Sequence, residues 1–228
     1  MPTAIVTGAS RGLGLALARE LARVKWRLVI DARGGDELEA ARAELSELTE
    51  VVAVRGDLAD GQHRVRLVAA AGDHLRLLVN NASVLGPSPQ PRLDAYPLAE
   101  LERVYAVNVM APLALIQLAL PLLRPGGRIV NVTSDAALEP YEGWGGYGSS
   151  KAALEQLGNV LAAEHPELLV YTVDPGDMRT QLQQEAFPGE DISDRPEPEA
   201  SVPGLLALID GDLPSGRYVA RDLVPVAA

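Results

Sequence analysis

Near its amino terminus the chain reads Ala4-Ile5-Val6-Thr7-Gly8-Ala9-Ser10-Arg11-Gly12-Leu13-Gly14. The first three residues form a short apolar run typical of a strand, and a helical period over residues 13–24 follows the glycines directly. Glycine permits a tight turn and lets a pyrophosphate approach the backbone, and the free N–H groups at the start of a helix favour anions. This stretch therefore predicts a strand–turn–helix unit that binds the phosphates of a dinucleotide.

Strand-like and helix-like segments alternate along the rest of the chain. The strand-like runs are almost continuously apolar, as expected for strands covered on both faces, and right-handed crossovers then place helices on both sides of the sheet. We predict an α/β chain with a doubly wound Rossmann fold, a seven-stranded parallel sheet and a single domain over residues 1–228. The predicted strands are 4–6, 27–30, 51–54, 75–79, 128–132, 168–173 and 217–219, and the predicted helices are 13–24, 36–48, 62–71, 98–122, 147–163 and 198–209.

Composition excludes several classes of function. The 228 residues include no cysteine, which rules out thiol catalysis, disulfides and cysteine-bound metal centres. The three histidines lack the spacing of metal ligands, so no metal site is predicted. A net charge of −11 disfavours binding to nucleic acid and to anionic membrane surfaces. Neither nucleic acid nor a membrane is therefore an expected partner.

The sequence also disfavours a membrane location. It shows no leader pattern, and its longest apolar stretch, residues 111–123, is interrupted by Pro112, Gln117 and Pro121. A transmembrane helix needs about 20 apolar residues, so we predict that this stretch is a buried helix. We expect a cytoplasmic protein.

A second decisive pattern is the pair Tyr147 and Lys151, which are four residues apart. Tyr147 lies thirteen residues beyond Ser134. On a helix this spacing places the phenol and the ammonium on one face. A nearby ammonium favours the phenolate, which predicts a tyrosine pKa below its ordinary value. Such a tyrosine can exchange a proton with a carbonyl or alcohol oxygen.

These motifs together resemble the single-domain form of the short-chain dehydrogenase/reductase family. The glycine spacing is G-x-x-x-G-x-G, Asn80-Asn81-Ala82 resembles the N-N-A-G segment, and Pro175-Gly176-Asp177-Met178-Arg179-Thr180 resembles P-G-x-V-x-T. The resemblance implies a catalytic set of Asn108, Ser134, Tyr147 and Lys151. It implies cofactor contacts from Gly8, Ser10, Arg11, Gly12, Leu13, Gly14, Arg33, Asp57, Leu58, Asn80, Ala82, Tyr147, Lys151, Pro175, Gly176, Met178 and Thr180. Asp57 is alternatively the N-cap of the helix that follows it.

The resemblance implies an NAD(P)-dependent oxidoreductase that interconverts a carbonyl and an alcohol. In that mechanism Tyr147 is the general acid and base, Ser134 holds the substrate oxygen, and Lys151 binds the nicotinamide ribose. A cofactor-sensing regulatory protein that lacks turnover is the alternative; a sugar-nucleotide epimerase is disfavoured by the glycine spacing and the chain length. Departures from the family pattern are Ser83 in place of the glycine of N-N-A-G, and Asp135 beside the serine.

The end of the second predicted strand bears on the choice of cofactor. Counted from Gly14, the position that reads the adenosine ribose falls on Ala32, with Arg33 next to it. An arginine attracts a 2′-phosphate, and Arg11 in the glycine loop favours the same cofactor, so NADP(H) is predicted. Asp31 competes with this prediction, because a register shift of one residue would bring its carboxylate to the ribose and favour NAD(H).

Two loops are expected at the edge of the sheet where ligands bind. Residues 86–91 follow the fourth strand, and residues 185–203 carry six acids against one arginine. The second loop is either a solvated surface loop or a mobile lid, within a substrate segment of about 177–203. Its acids disfavour strongly anionic substrates. The apolar helices 98–122 and 147–163 favour a homodimer or homotetramer, as the family resemblance also implies.

Overall fold

A computed structural model describes residues 1–223 of the chain as seven parallel strands in one sheet. The spatial order is β3-β2-β1-β4-β5-β6-β7, which confirms the predicted doubly wound sheet. The prediction of a single domain over residues 1–228 stays a prediction, and residues 224–228 lie outside the described part. The strands are β1 (Thr3–Val6), β2 (Arg27–Ala32), β3 (Val51–Arg55), β4 (Leu75–Asn80), β5 (Arg128–Val132), β6 (Leu169–Asp174) and β7 (Gly216–Val219).

Successive residues of each strand point to opposite faces of the sheet, and helices cover both faces. In β1, Ala4 and Val6 belong to one apolar cluster of the core, whereas Ile5 belongs to a second cluster on the opposite face of the sheet. The same alternation runs through β2 and β4. The helices are α1 (Gly12–Arg23), α2 (Gly35–Ser46), α3 (Gly61–Ala71), α4 (Leu98–Tyr105), α5 (Ala111–Ala119), α6 (Gly145–Glu164), α7 (Gln181–Ala186) and α8 (Val202–Asp210).

The carboxyl ends of β1 and β4 lie side by side, and the chain leaves them towards opposite edges of the sheet. This point is where ligands bind in open α/β sheets. The Thr7 hydroxyl donates to Val79 O at 3.1 Å and accepts the N–H groups of Asn81 and Ala82, each at 3.0 Å. The Asn81 amide donates back to Thr7 O at 2.8 Å. These bonds fix the two diverging loops against each other.

The predicted helix 98–122 is helical throughout but not uniform. A π-helical segment, Ala106–Met110, separates α4 from α5, and it carries Asn108. By length and composition the whole segment Leu98–Leu122 could cross a membrane, so our judgement that the apolar stretch is too short for a span does not hold for the complete helix. Half of its most apolar window is buried inside the protein, as is common for a core helix.

The acidic segment 185–203 contains more structure than predicted. The short helix α7 was missed, and the segment then forms turns and a 3₁₀ turn, Pro198–Ala200, before α8. Thr180 caps α7 by accepting the Gln183 N–H at 3.2 Å. Ile192 is buried within the segment. A six-residue helix has little periodicity for sequence analysis to detect, and its formation depends on this cap and on tertiary packing.

Beneath the β1 turn lies a buried pair of side chains from β2 and α3. His63 donates its Nε2–H to Asp31 Oδ2 at 2.9 Å, and both residues are almost completely buried. Gly56 makes room for the ring, because a Cβ built there would lie 2.2 Å from His63 Nδ1. The pair therefore requires glycine at position 56.

We expect Gly56→Ala to lower the free energy of unfolding by about 1 to 3 kcal/mol, because the new methyl group displaces the His63 ring. Urea denaturation measures the change. Gly61→Ala is the matched control: its Cβ would meet Arg64 Nη2 at 3.6 Å, an ordinary contact. An equal loss of stability in both variants would contradict the steric explanation.

Candidate active site

A cleft of about 1020 Å³ opens at the carboxyl ends of the strands. Its walls come from the glycine loop, the segment after β4, the start of α6 and the segment that includes α7. Most residues predicted to bind the cofactor line this cleft, although they come from distant parts of the sequence. Those that line it are Gly8, Ser10, Arg11, Gly12, Leu13, Arg33, Asp57, Leu58, Ala82, Tyr147, Lys151, Pro175, Gly176, Met178 and Thr180.

The glycine loop fits the phosphates of a dinucleotide. Gly8 has a φ of +65°, and a Cβ there would lie 2.9 Å from the Ala82 backbone, so only glycine allows this close approach. Gly12 also has a positive φ and opens α1. Among the described residues no side chain caps this helix, which leaves its first N–H groups to the cleft.

Two predicted contacts lie elsewhere. Asn80 is buried, and its side-chain amide donates to Asn131 Oδ1 at 2.9 Å. The next residue, Asn81, lines the cleft instead. Gly14 is also buried, and a Cβ there would lie 2.6 Å from both Asn81 Nδ2 and Gly8 O. It serves close packing of α1 rather than lining the cleft. A sequence motif cannot separate these packing positions from ligand contacts.

Asp31 is not free to bind the ribose as the competing prediction required. Its Oδ1 accepts the Gly8 N–H at 2.9 Å, and its Oδ2 pairs with His63. The carboxylate thus fixes the glycine loop from below. Arg11 and the exposed Arg33 both line the cleft, and their contact with the adenosine ribose stays a prediction.

Asp57 is exposed and also lines the cleft. Its Oδ1 accepts the N–H of Ala59 at 2.9 Å, which forms a local turn. The N-cap of α3 is instead Asp60, which accepts the Gln62 N–H at 2.9 Å. The alternative prediction that Asp57 is the helix cap is therefore wrong.

The residues Ser134, Tyr147 and Lys151 line the cleft together. Ser134 follows β5, and Lys151 Nζ donates to the carbonyl oxygen of Val132 at 2.9 Å, which ties α6 to the end of that strand. The ammonium lies 5.4 Å from the centre of the Tyr147 ring. The Ser134 hydroxyl donates to Asp135 Oδ1 at 2.9 Å.

Burial governs the ionisation of the tyrosine and the lysine. It raises the pKa of the Tyr147 phenol far above its ordinary value, a change that the nearby Ser83 hydroxyl partly opposes. It lowers the pKa of Lys151 to about 8. The prediction that the lysine lowers the tyrosine pKa thus had the wrong direction, because loss of hydration raises this pKa and the nearby carboxylates of Asp174 and Asp135 raise it further. The phenol therefore stays protonated at neutral pH.

Asn108 holds the site from behind. Its amide donates to Val84 O at 2.9 Å and to Ser150 Oγ at 3.0 Å, and its Oδ1 accepts the Val84 N–H at 2.9 Å. Ser150 in turn donates to Tyr147 O at 2.6 Å. Asn108 therefore links the segment after β4 to the helix that carries the tyrosine and the lysine.

Ser83, one of the departures from the family pattern, is part of this network and was not predicted as a site residue. Its hydroxyl donates to Asn108 Oδ1 at 3.2 Å, and it lines the cleft beside Tyr147. Its position after N-N-A marked it as unusual, but only the fold brings it to the phenol.

Trp144 lines the cleft and packs against other aromatic side chains. The Trp144 ring packs edge-on against the rings of Tyr147 and Tyr141, with ring centres 5.9 Å and 6.3 Å apart. Its centre lies 6.0 Å from that of the Phe187 ring. Phe187 belongs to the acidic segment 185–203, and Glu185, Glu197 and Glu199 of this segment line the cleft, so part of the segment borders the cleft. The mobility of this segment stays a prediction.

The lowered pKa of Lys151 predicts that the difference in stability between wild type and Lys151→Met depends on pH. Because the folded pKa near 8 lies below the ordinary 10.5, the folded protein releases this proton first, and wild type gains stability relative to the variant as pH rises between these values. The gain approaches about 3 kcal/mol. Urea denaturation across this range measures it, with Lys25→Met as the control for an exposed lysine. A constant difference would contradict burial of the ammonium.

Comparison with known proteins agrees with this geometry. A family model described as short chain dehydrogenase matches residues 2–191. Sepiapterin reductase from Mus musculus is 36% identical over 197 residues, which cover 79% of this chain and 76% of that protein. Two solved structures superpose closely. A short chain dehydrogenase from Shigella flexneri complexed with NADP has a TM-score of 0.87 at 27% identity, covering 96% of this chain and 97% of the other. An alcohol dehydrogenase from Thermococcus sibiricus complexed with 5-hydroxy-NADP has a TM-score of 0.86 at 26% identity, covering 96% and 95%.

Proposed function

The chain belongs to the short-chain dehydrogenase family, and on that premise we propose that it is an NADP(H)-dependent oxidoreductase that interconverts a carbonyl and an alcohol. The observation that carries this proposal is the convergence of Ser134, Tyr147 and Lys151 at one cleft. The regulatory alternative is not favoured, because a sensor needs no buried phenol supported by a lysine and a serine.

The bound cofactor supplies or accepts the hydride. Tyr147 gives its proton to the substrate oxygen during reduction, a direction that suits a phenol held protonated by burial. The Ser134 hydroxyl turns from Asp135 to donate to the same oxygen, since a hydroxyl proton rotates freely. Lys151, with Nζ held by Val132 O, offers its remaining hydrogens to the nicotinamide ribose. Asn108 positions these groups.

NADP(H) is the proposed cofactor. Two arginines, Arg11 and Arg33, line the adenosine end of the cleft, where they would attract a 2′-phosphate. The nearby acid that could have bound a 2′-hydroxyl, Asp31, is occupied by Gly8 and His63. The NADP and 5-hydroxy-NADP complexes of two structural neighbours support this choice.

The proposed substrate is a small neutral or cationic carbonyl compound. Trp144 offers an aromatic surface that Phe187 supports from behind, and the acids Asp135, Asp177 and Glu185 line the same cleft. These carboxylates disfavour strongly anionic substrates through like-charge repulsion. Cytoplasmic location remains the expectation drawn from the sequence.

We expect Tyr147→Phe to lose at least about 100-fold in kcat for carbonyl reduction, because the proton donor is removed. NADPH binding and the unfolding transition should be unchanged. NADPH oxidation against a panel of ketones, aldehydes and quinones measures turnover. Tyr218→Phe, which removes a hydroxyl bound to Pro214 O outside the cleft, is the matched control. Full turnover in Tyr147→Phe would refute the assigned role.

The protein is also proposed to form a homodimer or homotetramer. Met110 and Leu118 on the long helical segment and Val160 on α6 are exposed apolar side chains. We expect light scattering to give the mass of a dimer or tetramer, and Val160→Glu to shift it towards the monomer. Val65 is an exposed side chain on α3, and Val65→Glu should leave the mass unchanged. A monomeric wild type would contradict the proposal.

A further inference from the structure

The adenosine end of the cleft contains an acid that the cofactor assignment does not use. Glu37 lies in the first turn of α2, and both of its carboxylate oxygens are 3.0 Å from Arg11 Nη1. Arg11, Arg33 and Glu37 all line the cleft. One of the two arginines proposed to bind the 2′-phosphate is therefore already paired with a carboxylate of this chain.

The turn before α2 positions this carboxylate. A Cβ built on Gly34 would lie 3.0 Å from Glu37 Oε2, so the carboxylate packs over bare backbone next to Arg33. The turn is held from below by Arg55, whose Nε donates to Arg33 O at 3.2 Å. Glu37 thus stands between the glycine loop and the end of β2, where the adenosine 2′-substituent is proposed to bind.

We propose that Glu37 is a specificity-determining residue that limits the preference for NADP(H) over NAD(H) by competing with the 2′-phosphate for Arg11. This inference rests on the proposed function, in that the cleft must bind a nicotinamide dinucleotide. A 2′-phosphate carries close to two negative charges and is repelled by the carboxylate, whereas a 2′-hydroxyl can donate a hydrogen bond to it. Glu37 therefore opposes NADP(H) and tolerates NAD(H).

The size of the effect follows from exposure. The side chains of Arg11 and Glu37 are 51% and 55% exposed, so solvent and salt screen their attraction. Release of Arg11 should therefore improve NADPH affinity about three- to fivefold at low salt, as for other exposed ion pairs. The gain should shrink as salt is raised.

A general loss of negative charge from α2 is the rival explanation, and the helix supplies a matched control. Glu39 is two residues away on the same helix, and it pairs with Arg42 rather than with Arg11. It does not appear among the described residues that line the cleft. Glu39→Gln removes the same charge without freeing a cofactor-binding arginine.

Direct binding of NADPH and NADH, followed by nucleotide fluorescence without any substrate, tests the proposal. Wild type, Glu37→Gln, Glu39→Gln and Arg33→Ala are compared at low and high salt, with thermal unfolding as a check of folding. In Glu37→Gln the Kd for NADPH should fall about three- to fivefold while the Kd for NADH stays constant or rises. Glu39→Gln should leave both constants unchanged, and Arg33→Ala should weaken NADPH alone.

An unchanged ratio of the two constants in Glu37→Gln, or an equal change in Glu39→Gln, would overturn the role of Glu37. Competition by adenosine 2′,5′-bisphosphate and by AMP adds a second readout, because only the former should gain affinity in Glu37→Gln. Binding with the expected shifts but no turnover on any carbonyl would reject the proposed reaction and leave the role of Glu37 standing. Failure of wild type to bind either dinucleotide would reject both.

Discussion

Hydrogen bonding between the ends of β1 and β4 is the constraint on which the site depends. Thr7 and Asn81 exchange bonds at 2.8 to 3.0 Å, and Gly8 approaches Ala82 more closely than any side chain would allow. Both loops that leave these strands line the cleft, so these bonds fix the part of its wall that the two loops form together. Asp31 adds a third anchor by accepting the Gly8 N–H from below. The glycines are therefore needed for two reasons, namely ligand approach and the packing of two strand ends.

At the proposed catalytic end, loss of hydration is the largest influence on the pKa values of Tyr147 and Lys151. Tyr147 and Lys151 are both buried, and burial moves the pKa of each towards its neutral form. A proton is then held on the phenol, while the lysine stays within reach of deprotonation near pH 8. Asn108 keeps this arrangement in place through Ser150, so the π-helical segment that carries Asn108 serves the site rather than the core alone. The hydrophobic wall around Trp144 maintains the low hydration on which these shifts depend.

The proposed adenosine end follows the opposite rule. Arg11 and Glu37 are exposed and pair at 3.0 Å, so this pair contributes little and can be exchanged for a ligand group. Asp31 is buried beneath the loop with His63 and holds the structure, whereas Glu37 is exposed and is proposed to act on selectivity. Two acids separated by six positions in the sequence thus differ, because one is buried and hydrogen-bonded within the protein and the other is exposed to solvent.

The amino-acid sequence by itself determined the alternation of strands and helices and the doubly wound sheet, because hydrophobic periodicity and glycine spacing are local properties. Its resemblance to a family named cofactor positions, most of which line the cleft. It placed Tyr147 and Lys151 on one helix, because their spacing is also a local property. The tertiary structure alone decided the direction of the tyrosine pKa shift, the removal of Asn80 and Gly14 from the cleft, and the entry of Ser83 and Glu37 into it. Those outcomes depend on burial and on contacts between residues far apart in the chain, such as Gly34 beneath Glu37 and His63 against Asp31. No local pattern encodes the loss of water around a side chain, and that loss is what set the chemistry here.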